Sequence, residues 1–265
     1  MKIEERDNPA FYERRFFQGA TAVVALAAAV LALVGPLRDI ADDLFPKTEP
    51  VSWVQVVLDT SSAMEGEFDG ETRLDAAAEA VGKAVKELRN QGLGLRRTAG
   101  SCDGESEQLV DLGAGHNDDV TEMAQRQTPG GKASIVDAVV GALGEFEREP
   151  IAAGSPQSRR LLVLTAGISQ CSEQDLGEEM IEALELADIS EASKLEVFAL
   201  GASEQEREEL RRFEAVLKDH GTHVDVHAPE TSGELNRDAE QAGERAARAN
   251  EILEEERDAG FYEQQ

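Results

Sequence analysis

Residues 54–64 read VQVVLDTSSAM. Val54, Val56, Val57 and Leu58 make an almost unbroken apolar run, the pattern of a strand buried on both faces of a parallel sheet. The run ends at Asp59 and passes into a turn of hydroxyls, Thr60, Ser61 and Ser62. A carboxylate followed by hydroxyls offers the hard oxygen donors that Mg²⁺ and Ca²⁺ require. The first question is therefore whether this strand end holds a cation or does something else.

Working outward from it, apolar runs of strand length alternate with helical periods. "RLDAAAEAVGKAVKEL" places Leu74, Ala77, Val81, Val85 and Leu88 at helical spacing. "GLGLRRTAG" and "EQLVDL" are shorter strand candidates, and "SIVDAVVGALGEF" is a helix with Ile135, Val139, Leu143 and Phe146 on one side. "RRLLVLTAG" is the most apolar strand of the body. After it come a helix in "EEMIEALELA", a strand in "KLEVFALG" and a helix stopping near Gly221. A last strand, "THVDVHA", precedes a helix with Leu235, Ala239, Ala242, Ala246, Ala249 and Leu253 on one face, and the final "EEERDAGFYEQQ" reads as a frayed tail. This alternation predicts an α/β fold: a doubly wound, mainly parallel sheet with helices on both faces, preceded by one transmembrane helix. In such a sheet function sits where the central strands end, here at Asp59 and Thr165.

The transmembrane expectation comes from residues 16–34, FFQGATAVVALAAAVLALV, which carry no charge. As a helix these 19 residues rise about 28 Å, close to the hydrocarbon thickness of a bilayer. Lys2, Arg6, Arg14 and Arg15 precede the run, whereas Arg38 and Lys47 follow it among several acids. The basic excess predicts a cytoplasmic N-terminus and an extracytoplasmic body. A cleaved export signal and a buried core helix are the alternatives, although no small-x-small cleavage site follows the run. The implied organisation is a cytoplasmic segment at 1–15, a membrane helix at 16–37, a linker at 38–52, a domain at 53–253 and an acidic tail at 254–265. The location is then the cell membrane, and the run's small residues permit close approach of a second membrane helix.

Composition narrows the partners. The 265 residues carry 54 acidic and 26 basic side chains, a net charge of -28. Nucleic acid repels such a polyanion, so no nucleic-acid partner is expected. There is no GxGxxG and no GxxxxGK[ST], hence no cofactor loop, and no cofactor is assigned. Ser61 and Ser62 follow a strand as nucleophiles can, but lack GxSxG surroundings and a histidine in an adjacent strand-end loop. No enzyme activity is read from the chain. His220, His223 and His227 fall close together without a carboxylate or cysteine at zinc spacing, and His116 stands alone.

The three blocks "DTSSAM" before "RLDAA", then "TPGGKASIVDAV", then "RRLLVLTAG", taken in that order, resemble the von Willebrand factor A domain family. The resemblance covers nearly all of residues 53–253 and implies a doubly wound sheet topped by a metal-ion-dependent adhesion site. That site uses Asp-x-Ser-x-Ser after the first strand, a Thr after a Gly-Gly turn, and the Asp of Thr-Asp-Gly. Asp59 and Ser61 match; Ala63, Lys132 and Ala166 stand where Ser, Thr and Asp are implied. A dication would face one carboxylate and one ammonium, a like charge costing roughly 4 kcal/mol even with generous screening. The expectation is a degenerate, metal-independent site forming a candidate protein-binding surface, with Lys132 either reaching Asp59 in the cation's place or pointing to solvent. The alternative is a metal-dependent receptor keeping Asp59 and Ser61 and recruiting Ser62, Ser134 or Asp69. Some bacterial domains of the family carry cysteines at places like Cys102 and Cys171, so the resemblance implies a disulfide between them; two separate thiols are the other possibility. A protein partner, another membrane protein among the candidates, completes the reading.

Overall fold

A computed structural model describes residues 52–88, 90–98, 100–102, 104–148, 158–167, 171, 176–186 and 193–259. The apolar run at 16–34 and the linker before Ser52 lie outside the described residues. Among the described residues, no helix is long and apolar enough to cross a membrane.

Eight strands are present among the described residues: β1 (Ser52–Leu58), β2 (Glu67–Phe68), β3 (Glu71–Thr72), β4 (Gly92–Arg97), β5 (Glu107–Ala114), β6 (Ser158–Thr165), β7 (Ser193–Ala199) and β8 (His223–His227). The helices are α1 (Arg73–Glu87), α2 (Asn117–Gln125), α3 (Ile135–Arg148), α4 (Leu176–Leu186), α5 (Glu204–Asp219) and α6 (Ser232–Asp258). Six strands form one sheet in the order β5-β4-β1-β6-β7-β8, with β5 antiparallel to β4 and the other pairings parallel. All seven residues of β1 are buried because β1 lies inside the sheet with helices on both faces. This is the wound, mainly parallel sheet that the apolar runs predict.

Strand alternation sorts the core into two layers. Val54, Val56 and Leu58 of β1, with Leu162, Leu164 and Phe198, meet α1, α2 and α6. Trp53 and Val57, with Leu161, Val163, Leu195 and Val197, meet α3, α4 and α5. The predicted stripes are buried for α1 and α3, and for Leu235, Ala239, Ala242 and Ala246 of α6. Ala249 and Leu253 are only half-buried. Small residues let α6 lie close on α1: a Cβ on Gly243 would come within 2.4 Å of the Ala84 carbonyl oxygen.

Three features depart from the sequence reading. A short hairpin, β2–β3, precedes α1, and α2 fills a stretch in which only Val120 and Ala124 are buried apolar residues, too few to set a visible period. Beyond Leu253, α6 continues to Asp258 instead of fraying, in keeping with the helix propensity of its Glu and Arg residues.

On the α6 face, Glu196 of β7 is fully buried and gathers three cations. Its carboxylate pairs with Arg160 of β6 at 3.2 Å, Lys194 at 3.7 Å and Arg245 of α6. Burial lowers the Arg160 pKa, with the Glu196 charge opposing that shift. Lys194 also donates to Asp225 of β8 and holds that carboxyl below its usual range. A carboxylate buried this deeply persists only with such partners, and here they fasten α6 to the sheet.

Candidate functional site

The ends of β1, β4 and β6 lie side by side, because β4 and β6 flank β1 in the sheet. Asp59, first residue past β1, has 2% of its surface exposed. One carboxylate oxygen, Oδ1, accepts from the Ser61 backbone N–H at 2.7 Å and the Thr98 hydroxyl at 3.5 Å. The other, Oδ2, accepts from the Thr165 hydroxyl at 2.9 Å and the Ala166 N–H at 3.3 Å. The Thr165 hydroxyl is also 2.8 Å from the Gly167 carbonyl oxygen, and its single proton serves one acceptor at a time. Asp59 thus ties its own loop to those leaving β4 and β6, entirely through neutral donors.

A fourth loop closes the arrangement. Gly130 donates its N–H to Thr60 O at 2.8 Å, Ser62 donates its N–H to Gly131 O at 3.0 Å, and the Ser62 hydroxyl reaches the same carbonyl at 2.9 Å. The Lys132 N–H meets Gly100 O at 3.2 Å. Gly131 has φ +73°, and a Cβ there would lie 1.9 Å from Gly100 O, so only glycine fits this crossing. Gly131→Ala should therefore cost about 2 kcal/mol in a chemical melt. Gly130→Ala, where a Cβ would meet nothing within 4 Å, should be nearly neutral.

Of the two alternatives for Lys132, the structure shows the one that points to solvent. The lysine side chain is exposed and makes no ion pair with Asp59, whose carboxylate already has four uncharged neighbours within hydrogen-bond distance, two backbone N–H groups and two hydroxyls. Desolvating an ammonium to add a fifth partner would cost more than it returned. Ala63 is half-buried and Ala166 is buried, and neither side chain offers an oxygen. Of the five ligand positions implied by the resemblance, only Asp59 and Ser61 keep an oxygen-bearing side chain. That donor set does not fit a magnesium ion seeking near-octahedral oxygen ligation.

The candidate replacements are engaged elsewhere. Ser62 bonds Gly131 O, Ser134 caps α3 by accepting the Asp137 N–H at 3.2 Å, and Asp69 accepts the Ser232 N–H at 3.1 Å. The histidines are also dispersed: His220 meets Glu185 at 3.1 Å, His227 stacks on Phe198 at 4.9 Å, and His116 bonds the Asp111 carbonyl at 2.8 Å. Among the described residues, no group of three or more metal-ligating His, Cys, Asp or Glu side chains forms.

Cys102 and Cys171 form a disulfide with a Cα–Cα distance of 5.2 Å. Their loops leave β4 and β6, so the bridge links the two strands on either side of β1. On the β7 side, Arg73 at the start of α1 donates to Ala63 O at 3.3 Å and Gly201 O at 3.2 Å, joining the β1 loop to the turn after β7. The roles of Thr98 and Arg73 escape sequence reasoning: Arg73 only opens the "RLDAA" block, Thr98 belongs to no motif, and both gain their roles from strand order.

Residues 54–168 match the family model described as von Willebrand factor type A domain. No curated protein matches the chain. Among solved structures, the D319A mutant of the PilB minor pilin from Streptococcus sanguinis superposes with TM-score 0.62 at 11% identity, covering 77% of this chain and 63% of that one. This chain thus spans less than two thirds of the pilin's length. BatB from Bacteroides thetaiotaomicron gives TM-score 0.55 at 16% identity, covering 75% of this chain and 99% of BatB. The SpRpn10 VWA domain gives 0.54 at 14%, covering 71% and 93%. At such identities the structural likeness speaks for the fold alone, and the family model supplies the rest: from β1 to just past the end of β6, residues 54–168 are similar to a von Willebrand factor type A domain.

Proposed function

We propose that the chain is a membrane-tethered interaction module whose extracytoplasmic domain binds a protein partner without a metal, through the loops at the ends of β1, β4 and β6. One observation carries the metal-free part of this reading. The Asp59 carboxylate is held by neutral hydrogen-bond donors, while the positions of Ala63, Lys132 and Ala166 bring no further oxygen side chain. The rim is a platform of small exposed residues, Ser62, Gly100, Gly130 and Gly131, beside the exposed Lys132. Such a surface suits shape-matched contact with a polypeptide. With no nucleophile–base pair or cofactor loop behind it, the reading is a binding protein and not an enzyme. The uncharged run at 16–34 with its preceding basic residues supports the tether and a cytoplasmic N-terminus.

The partner, another membrane protein among the candidates, is to be sought by co-purification from native membranes. Its binding should survive EDTA; loss of binding in EDTA, restored by Mg²⁺ or Mn²⁺, would refute the metal-free reading. Titration calorimetry of the wild-type chain with either ion should show no stoichiometric heat. The double substitution Lys132→Thr, Ala166→Asp restores two oxygen ligands and removes the ammonium, and should bring measurable cation binding. Continued silence from that variant would discredit the loop alignment. Protease protection in intact cells tests the topology, with the domain expected to be cleavable from outside.

A further inference from the structure

We propose that the Cys102–Cys171 disulfide is a redox-responsive latch whose reduction frees the loops around Asp59 while the sheet beneath stays folded. The bridge fastens the loop after β4 to the loop after β6, across the end of the strand that carries Asp59. Its influence spreads through Gly100, two residues before Cys102. Gly100 accepts the Lys132 N–H at 3.2 Å and lies against Gly131, which holds Ser62. All four rim loops are thus connected to one covalent bond.

Among the described residues, Ser62, Gly100, Gly130, Gly131 and Lys132 lie exposed above the hydrogen-bonded Asp59 and bury little apolar surface, so the order of this outer rim leans on backbone hydrogen bonds, the Ser62 hydroxyl and the bridge. Segments of that kind open locally at low free-energy cost. The sheet is different: β1 is buried along its whole length and paired on both sides, and its order does not need the loops. Both cysteines are half-buried, leaving the bridge within reach of a reductant. A disulfide that is not sealed in the core is open to attack by an external thiolate.

The reductant is of the dithiol class. Its thiolate attacks one cysteine sulfur, the S–S bond breaks, and the other cysteine leaves as a thiolate and takes up a proton. The reductant's second thiol then displaces the mixed disulfide. Two electrons and two protons pass to the domain, giving two cysteine thiols and one oxidised reductant. That this loosening alters partner binding rests on the docking role given to the rim above; the latch itself does not.

Hydrogen exchange of the full-length chain in mild detergent, with and without dithiothreitol, tests it. Reduction should speed exchange at the Ser62, Gly130 and Lys132 amides about tenfold or more through local opening that persists without denaturant, while Val56, Val57 and Val163 accelerate only as far as the loss of global stability measured by urea unfolding of the same sample requires. A Cys102→Ser, Cys171→Ser variant should match the reduced wild type and ignore dithiothreitol. Unchanged rim rates would overturn the latch. Rim amides that exchange only through the same global unfolding as β1 and β6 would also overturn it, marking the bridge as a general staple. Faster rim exchange with unaltered partner binding would uphold the latch and refute the docking role instead.

Discussion

Glu196→Gln should destabilise the domain by about 3–5 kcal/mol, the usual cost of removing one partner from a buried ion cluster. Glu196 is the carboxylate on which Arg160, Lys194 and Arg245 converge, and it is fully buried. Its removal leaves Arg160, 12% exposed, with only the weaker influence of the Asp225 carboxylate to offset its desolvation. The measurement is urea unfolding, in which the midpoint should fall with little change in slope. The expected loss corresponds to roughly 10 °C in Tm for a domain of this size. Adding Arg160→Met to Glu196→Gln should recover part of it, because replacing a buried pair by apolar volume is often neutral. A loss below about 1 kcal/mol would show that water already reaches the cluster and screens it.

Replacing both Cys102 and Cys171 by Ser should lower stability by about 4 kcal/mol in the chain-entropy model. The bridge closes a sequence separation of 69 residues and so restricts the unfolded chain. Either single substitution should cost about as much as the double one, since either breaks the same bond. Wild type unfolded under reducing conditions should match them. A small effect in all three would locate residual structure in the reduced unfolded chain. The exchange experiment proposed above addresses a separate matter, the native-state freedom of the rim, and the two effects need not scale together.

Much of the fold is readable from particular residues. The runs at Val54–Leu58 and Leu161–Leu164 are continuously apolar because strands inside a parallel sheet are covered on both faces. The stripe Leu74, Ala77, Val81, Val85 marks α1 because a helix buries one face. The helix α2 was not readable: two buried apolar residues do not establish a period. At the site, Asp59 could be picked out from its place after a strand and from the family pattern, and so could the missing ligands at Ala63, Lys132 and Ala166. The role of Lys132 could not. A charge count favoured an ammonium beside a lone carboxylate, but Thr98, Thr165 and two backbone N–H groups fill the same need without a second buried charge.

The division between the two sources has a physical basis. Apolar periodicity and local motifs are short-range properties of the chain, so the sequence alone determined the element types, the wound α/β class and the identity of the strand-end aspartate. Which loops become neighbours depends on strand order, and that is settled by packing between segments far apart in the chain. Only the tertiary structure could bring Thr98 to Asp59 across 39 positions, press Gly131 onto Gly100, and gather three cations on Glu196.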